Sequence, residues 1–171
     1  MKKIIWFSLV VIAGCSNIPK QKGLVYYNDF EYAKGWEDVN LGKEPVHSGV
    51  YSNKMDSIHQ YGATFKLPFK EVANGKVASV KISLWAYLEP NAKTSIVTEV
   101  RRPDQGSLLY QGYKLEDVIK EKNKWQEVEF TVPINDSLNK PDNIFMVYPW
   151  NLSKSNVYVD DVRIEFILGG F

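Results

Sequence analysis

Apolar and polar positions alternate with a period of two along most of this chain. In VKISLWAYLE, Val80, Ile82, Leu84, Ala86 and Leu88 fall on one side of an extended strand, and Lys81, Ser83, Trp85, Tyr87 and Glu89 on the other. Runs of the same kind predict strands at about 24–31, 49–57, 60–67, 78–88, 94–102, 107–115, 124–132, 143–150 and 156–166. Turn material such as EVANGK, EPNAK, RPDQG and INDSLNKPD separates them. Only KLEDVIKEKN, 114–123, reads as helical, and it predicts one short helix or turn. Short strands at this spacing predict an all-β fold, a two-sheet β-sandwich of jelly-roll type.

The first apolar run follows a different rule. Lys2 and Lys3 precede Ile4 to Gly14, a stretch too short for the ~20 apolar residues that span a bilayer. A basic start, a short apolar core and small residues before a cut describe an export signal. The run closes on Ile12-Ala13-Gly14-Cys15, which resembles the lipobox of bacterial lipoproteins. That resemblance implies cleavage after residue 14 and diacylglycerol on the Cys15 thiol, the only cysteine in the chain. Residues 15–23 then form a lipidated tether, and 24–171 a single domain. Ser16, rather than an acidic residue, follows Cys15, which in lipoproteins points to the outer membrane; the side stays open.

Charge narrows the partners. Without the two leader lysines the formal net charge moves from +1 to about −1. No basic stripe remains, which argues against nucleic acid. With Cys15 acylated, the domain has neither a disulfide framework nor a thiolate metal site. His47 and His59 form no pair on a metal-binding or catalytic spacing, and no phosphate loop or nucleophile elbow is present.

Several segments together resemble a known family: NDFEYAKGWE, VHSGVYSNKMDS, VKISLWAYLE, NKWQEVEFTVP and NVYVDDVRIEF, in that order. They are similar to the jelly-roll carbohydrate-binding modules of the family 4/9 type, also called galactose-binding-like domains. The match runs over roughly 24–166, with Leu84 where the family has Phe and an unmatched stretch around 102–123. The resemblance implies a structural calcium ion, held here by Glu31, the turn beginning at Ser48 and Asp160, with Asp29 or Asp161 as substitutes. Oxygen-only ligands suit calcium. Alternation places Asp160 with Tyr158, Val162, Ile164 and Phe166, facing the interior, where a carboxylate needs a cation or a full set of hydrogen bonds. Both remain open.

Trp85 and Tyr87 carry the functional reading, because they stand on the polar side of their strand. Left bare, each forgoes roughly 1.5–3 kcal/mol of burial. Sugars cover such rings with their C–H faces while polar neighbours take the hydroxyls. Glu99 and Arg101 supply polar contacts in this reading, and Tyr148 and Trp150 extend the platform. The competing reading has a loop, the 103–123 segment being one candidate, folding over Trp85 and Tyr87 to make a second small core. The expected function is thus a lipid-anchored, non-catalytic glycan-binding module, with a polysaccharide or oligosaccharide as partner. The alternatives are an envelope lipoprotein that binds a protein, and a small polysaccharide-degrading enzyme built on Glu99, Arg101 and Tyr110.

Overall fold

The computed structural model describes residues 24–32 and 35–169; Cys15, the expected leader and the tether lie outside them. The described residues form β1 (Val25–Asn28), β2 (Leu41–Gly42), β3 (Ser52–Met55), β4 (Phe65–Pro68), α1 (Phe69–Val72), β5 (Val77–Leu88), β6 (Thr94–Arg101), β7 (Ser107–Lys114), α2 (Leu115–Val118), β8 (Trp125–Pro133), β9 (Ile144–Asn151) and β10 (Val157–Leu168). One antiparallel sheet has the order β2-β3-β10-β5-β8, with β1 pairing β10 beyond the end of β3. The other has the order β4-β9-β6-β7. The two sheets make the jelly-roll β-sandwich that the strand pattern predicts.

The alternation of β5 explains why it is central. Val80, Ile82, Leu84, Ala86 and Leu88 are all buried, facing Ile96 and Val100 of β6 and Phe145 and Val147 of β9 in one core. Phe145 and Phe65 both pack against Phe166, with ring centroids 5.3 and 6.0 Å away. Each such side chain contributes about 1.5–3 kcal/mol by leaving water. The stretch read as helical is a single turn, α2, whose Leu115 closes the core together with Ile119. Its neighbour β7 is the edge of the four-stranded sheet. The 103–123 segment therefore builds that sheet and its end, and does not fold over Trp85.

Several features depart from the sequence pattern, the unpredicted two-residue strand β2 and the late start of β4 among them. The turn α1 was not predicted; Phe69 and Val72, three residues apart, are both buried, and that spacing suits a helical turn as well as a strand end. In β10 the register slips between Asp160 and Arg163, and Asp161 adopts a left-handed φ of 49°. Val157 and Val159 face the core before this bulge, and Val162, Ile164 and Phe166 after it. Asp160 is therefore paired with Trp85 on the outer side of the sheet, not turned to the interior as alternation predicts.

Candidate functional site

The outer side of the six-stranded sheet carries Trp85 and Tyr87, but a loop covers part of it. His47 lies flat on Trp85, with centroids 3.8 Å apart and planes within 13°. Tyr87 packs between Trp125 at 5.7 Å and Tyr158 at 5.8 Å. The register puts Trp125 and Tyr158 on either side of Tyr87, so three neighbouring strands supply this cluster. These rings form a partly buried aromatic cluster, which His47 of the 43–51 loop covers in part. One face of Trp85 is taken by His47 and is not open to a sugar ring.

That loop is fastened by acids. Asp160, fully buried, accepts hydrogen bonds from the backbone N–H of His47 (3.0 Å), Ser48 (3.3 Å) and Asp161 (2.8 Å). Burial pushes the Asp160 carboxyl above its usual range against these three bonds, and the charge of Asp161 adds to the rise. Asp161 accepts from His47 Nδ1 (2.6 Å), the Ser48 hydroxyl (2.9 Å) and the Tyr27 hydroxyl. Burial pulls Asp161 upward too, but the bonds from Tyr27, His47 and Ser48 outweigh it and hold the carboxyl below its usual range. Glu31 Oε1 accepts from the N–H of Val50 (2.7 Å) and Tyr51 (2.8 Å), and Asp29 accepts from Glu31 N (3.1 Å).

The acids implied as calcium ligands are thus brought to one region, with Ser48 among them. As arranged, however, the Asp160 and Asp161 carboxylates and one oxygen each of Glu31 and Asp29 accept from N–H and O–H donors, where a cation would require free oxygens. Among the described residues no group of three acidic, His or Cys side chains is placed to hold a metal ion. Of the two states left open by the sequence, the hydrogen-bonded carboxylate describes Asp160 as it stands.

The other predicted residues lie on the opposite sheet. Glu99 and Arg101 belong to β6, and Tyr148 and Trp150 to β9, so they cannot form one platform with Trp85 and Tyr87. Outward positions of β6 are Ser95, Val97, Glu99 and Arg101. Glu99 is cross-strand to Tyr110 on one side and Met146 on the other; Val97 is beside Tyr148, and Ser95 beside Trp150. Four polar groups meet here. Arg101 Nε donates to Glu99 Oε1 at 2.6 Å, and that bond raises the guanidinium pKa further. Burial pushes the Tyr148 hydroxyl far up, aided by the charges of Tyr110 and Glu99 and by a hydrogen bond with Tyr110.

Glu99 is the unusual member. It is only 2% exposed although it sits on an outward position, and its Oε2 finds no hydrogen-bond partner among the described residues. A buried acceptor left unsatisfied costs about 1–3 kcal/mol, more when charged. Beside it is an aromatic wall in which Tyr61, which the sequence reading did not include, joins Tyr148 and Trp150, which it did. Tyr61, half exposed, lies nearly parallel to Trp150 (5.9 Å, 11°) and 6.1 Å from Tyr148. It lies inside the 60–67 run read as a strand, but there it forms an isolated bridge with Trp150, four residues before β4 begins. At the far end of the same face, a depression of about 520 Å³ is lined by Lys66, Pro68, Pro103 and Ile144 among others. No second carboxylate stands cross-strand to Glu99, so the paired acids of a glycosidase are not assembled there.

The fold places the chain in the class of jelly-roll β-sandwiches. No protein-family model matches it, and no curated protein does. Solved structures do. It is similar to the C-terminal family 22 carbohydrate-binding module of Clostridium thermocellum Xyn10B (14% identity, 82% of this chain and 91% of that one, TM-score 0.59). It is also similar to the CBM22-2 xylan-binding domain of Paenibacillus barcinonensis Xyn10C (16% identity, 82% and 98%, TM-score 0.56). A third match is the enzymatically active domain of tailspike protein 4 from bacteriophage CBA120 (12% identity, 81% and 20%, TM-score 0.53). At such identities the likeness is one of fold.

Proposed function

We propose that this protein is a non-catalytic glycan-binding module, lipid-anchored through Cys15 in the bacterial outer membrane, and that the glycan lies across the outer face of the four-stranded sheet. The observation that carries the reading is Glu99: a buried carboxylate oxygen without a partner, ringed by Arg101, Tyr110 and Tyr148. The Arg101 guanidinium, held in place by Glu99, and the exposed Tyr110 hydroxyl take sugar hydroxyls, and Tyr61 and Trp150 offer an apolar surface alongside. Such a mixture of aromatic wall and few oriented polar groups suits a carbohydrate. Two of the similar structures are xylan-binding or carbohydrate-binding modules, which supports the same reading. Of the platform expected from sequence, Trp85 is stacked by His47 of the 43–51 loop and Tyr87 packs against Trp125 and Tyr158.

A glycan array followed by affinity electrophoresis tests this. Tyr110, 56% exposed on an edge strand, is a safe position to truncate. Tyr110→Ala and Glu99→Gln are expected to lose retention in the gel while melting close to wild type. If wild type binds no glycan on a broad array, the sugar reading falls and an envelope protein that binds another protein takes its place.

A further inference from the structure

The chain enters and leaves the domain at the same end of the sandwich. Phe166 N donates to the carbonyl of Leu24 at 2.7 Å, and Gly169 N to that of Lys76 at 2.9 Å. Leu168 is cross-strand to Val77, and Val25 to Glu165. Four apolar side chains gather around this exit: Leu24 and Val25 (each 39% exposed), Ile167 (41%) and Leu168 (43%). The adjoining loops are charge-balanced. Lys70 pairs with Asp142 at 2.8 Å and Lys76 with Asp136 at 2.5 Å, leaving Lys140 against Glu71.

Only eight residues separate Cys15 from Leu24, and they carry Lys20 and Lys22 and no acid. Whatever path they take, nine steps of chain reach at most about 30 Å. A lipid on Cys15 therefore keeps Leu24 within that distance of the bilayer. From this length, the apolar rim at its end and the two added positive charges, we infer that the Leu24/Val25/Ile167/Leu168 end of the sandwich rests on the lipid surface. The inference builds on the anchoring part of the proposed function and gives it a geometry. The tether makes the contact intramolecular, so a patch too small to bind lipid by itself is sufficient. An anionic headgroup layer meets no net negative charge at this end and two lysines in the tether. The strands run along the axis from this end, so the face holding Glu99 stands upright, with Trp150 and Tyr61 at its outer end.

The full lipidated chain in vesicles of phosphatidylethanolamine and phosphatidylglycerol, some bearing an acyl-chain spin label, provides the test. An environment-sensitive fluorophore is placed on Ile167→Cys or on Leu152→Cys, an equally exposed apolar position at the opposite end. Quenching is expected to be several-fold greater at 167 than at 152, and to fall when Val25→Glu is added. If mass measurement finds no lipid on Cys15, the anchoring reading fails and the docking with it. If the lipid is present and the two probes are quenched alike, the docking falls and the anchor stands.

Discussion

Replacing Gly49 by alanine tests how the 43–51 loop is held over Trp85. Gly49 has a φ of 62°, where a side chain costs about 1–2 kcal/mol. A Cβ there would also lie 2.6 Å from Cδ of Glu31 and closer still to its Oε1, so Glu31 must swing away. It then gives up the bonds from the N–H groups of Val50 and Tyr51. At a partly exposed carboxylate these are worth about 0.5–1 kcal/mol each. The two contributions together come to about 2–4 kcal/mol, or roughly 5–15 °C in Tm for a domain of this size. Thermal melts followed by circular dichroism measure it. In a Glu31→Ala background the carboxylate is already gone, so Gly49→Ala should cost only the backbone share, about 1–2 kcal/mol. A Gly49→Ala protein that melts with wild type would refute the reasoning; so would costs that add in full across the two backgrounds.

Three further outcomes follow from the same loop and its neighbours. Asp161 is held below the usual carboxylate range, so its stabilisation is present above about pH 4 and is lost as pH falls through its folded-state pKa. Asp160, pushed up by burial, acts in the opposite sense, stabilising below about pH 4 and losing that contribution as pH rises. Acid titration of the melt should therefore show a falling limb that Asp161→Asn flattens; an unchanged limb in that variant assigns the acid sensitivity elsewhere. Saturating chelator is expected to leave the melt unmoved, since the acids face donors; a drop reversed by added calcium would instead establish the ion implied by the family resemblance. Trp85→Ala removes the His47 stack and should destabilise by about 2–4 kcal/mol without loss of glycan retention, as read by melts and affinity gels in parallel.

The alternation of β5 made its core face legible residue by residue, because β5 pairs with β8 in unbroken register over the stretch and the bulge on its other side lies in β10. The same rule failed on β10, where one bulge at Asp160 and Asp161 exchanged the faces of everything before it. A bulge leaves no mark on hydrophobic periodicity when polar residues occupy it. Strand positions were readable, but sheet membership was not. Nothing in the 94–102 run says that β6 pairs with β9 rather than β5, and so Glu99 and Trp85 were assigned to a common platform. The covering of Trp85 also lay beyond local pattern, since His47 reaches it from a loop nearly forty residues away. Glu99, Arg101, Tyr148 and Trp150 were named from sequence, and the structure brings these four to one face. Tyr61 falls within the predicted 60–67 strand but was not assigned to the site, because only its single bridge to Trp150, distant in sequence, places it there.

The central claim concerns which face meets the glycan, and the tryptophan indoles report it directly. Residues 24–171 hold Trp36, Trp85, Trp125 and Trp150. Trp85 and Trp125 belong to the six-stranded sheet with His47, Trp36 packs against Phe65, and Trp150 lies beside Tyr61 on the other sheet. Nitrogen-15 indole signals, titrated with the strongest glycan from the array, should show Trp150 shifting in a saturable manner while Trp85 and Trp125 stay in place. Movement of Trp85 or Trp125 with Trp150 stationary would contradict the account and return the site to the six-stranded sheet.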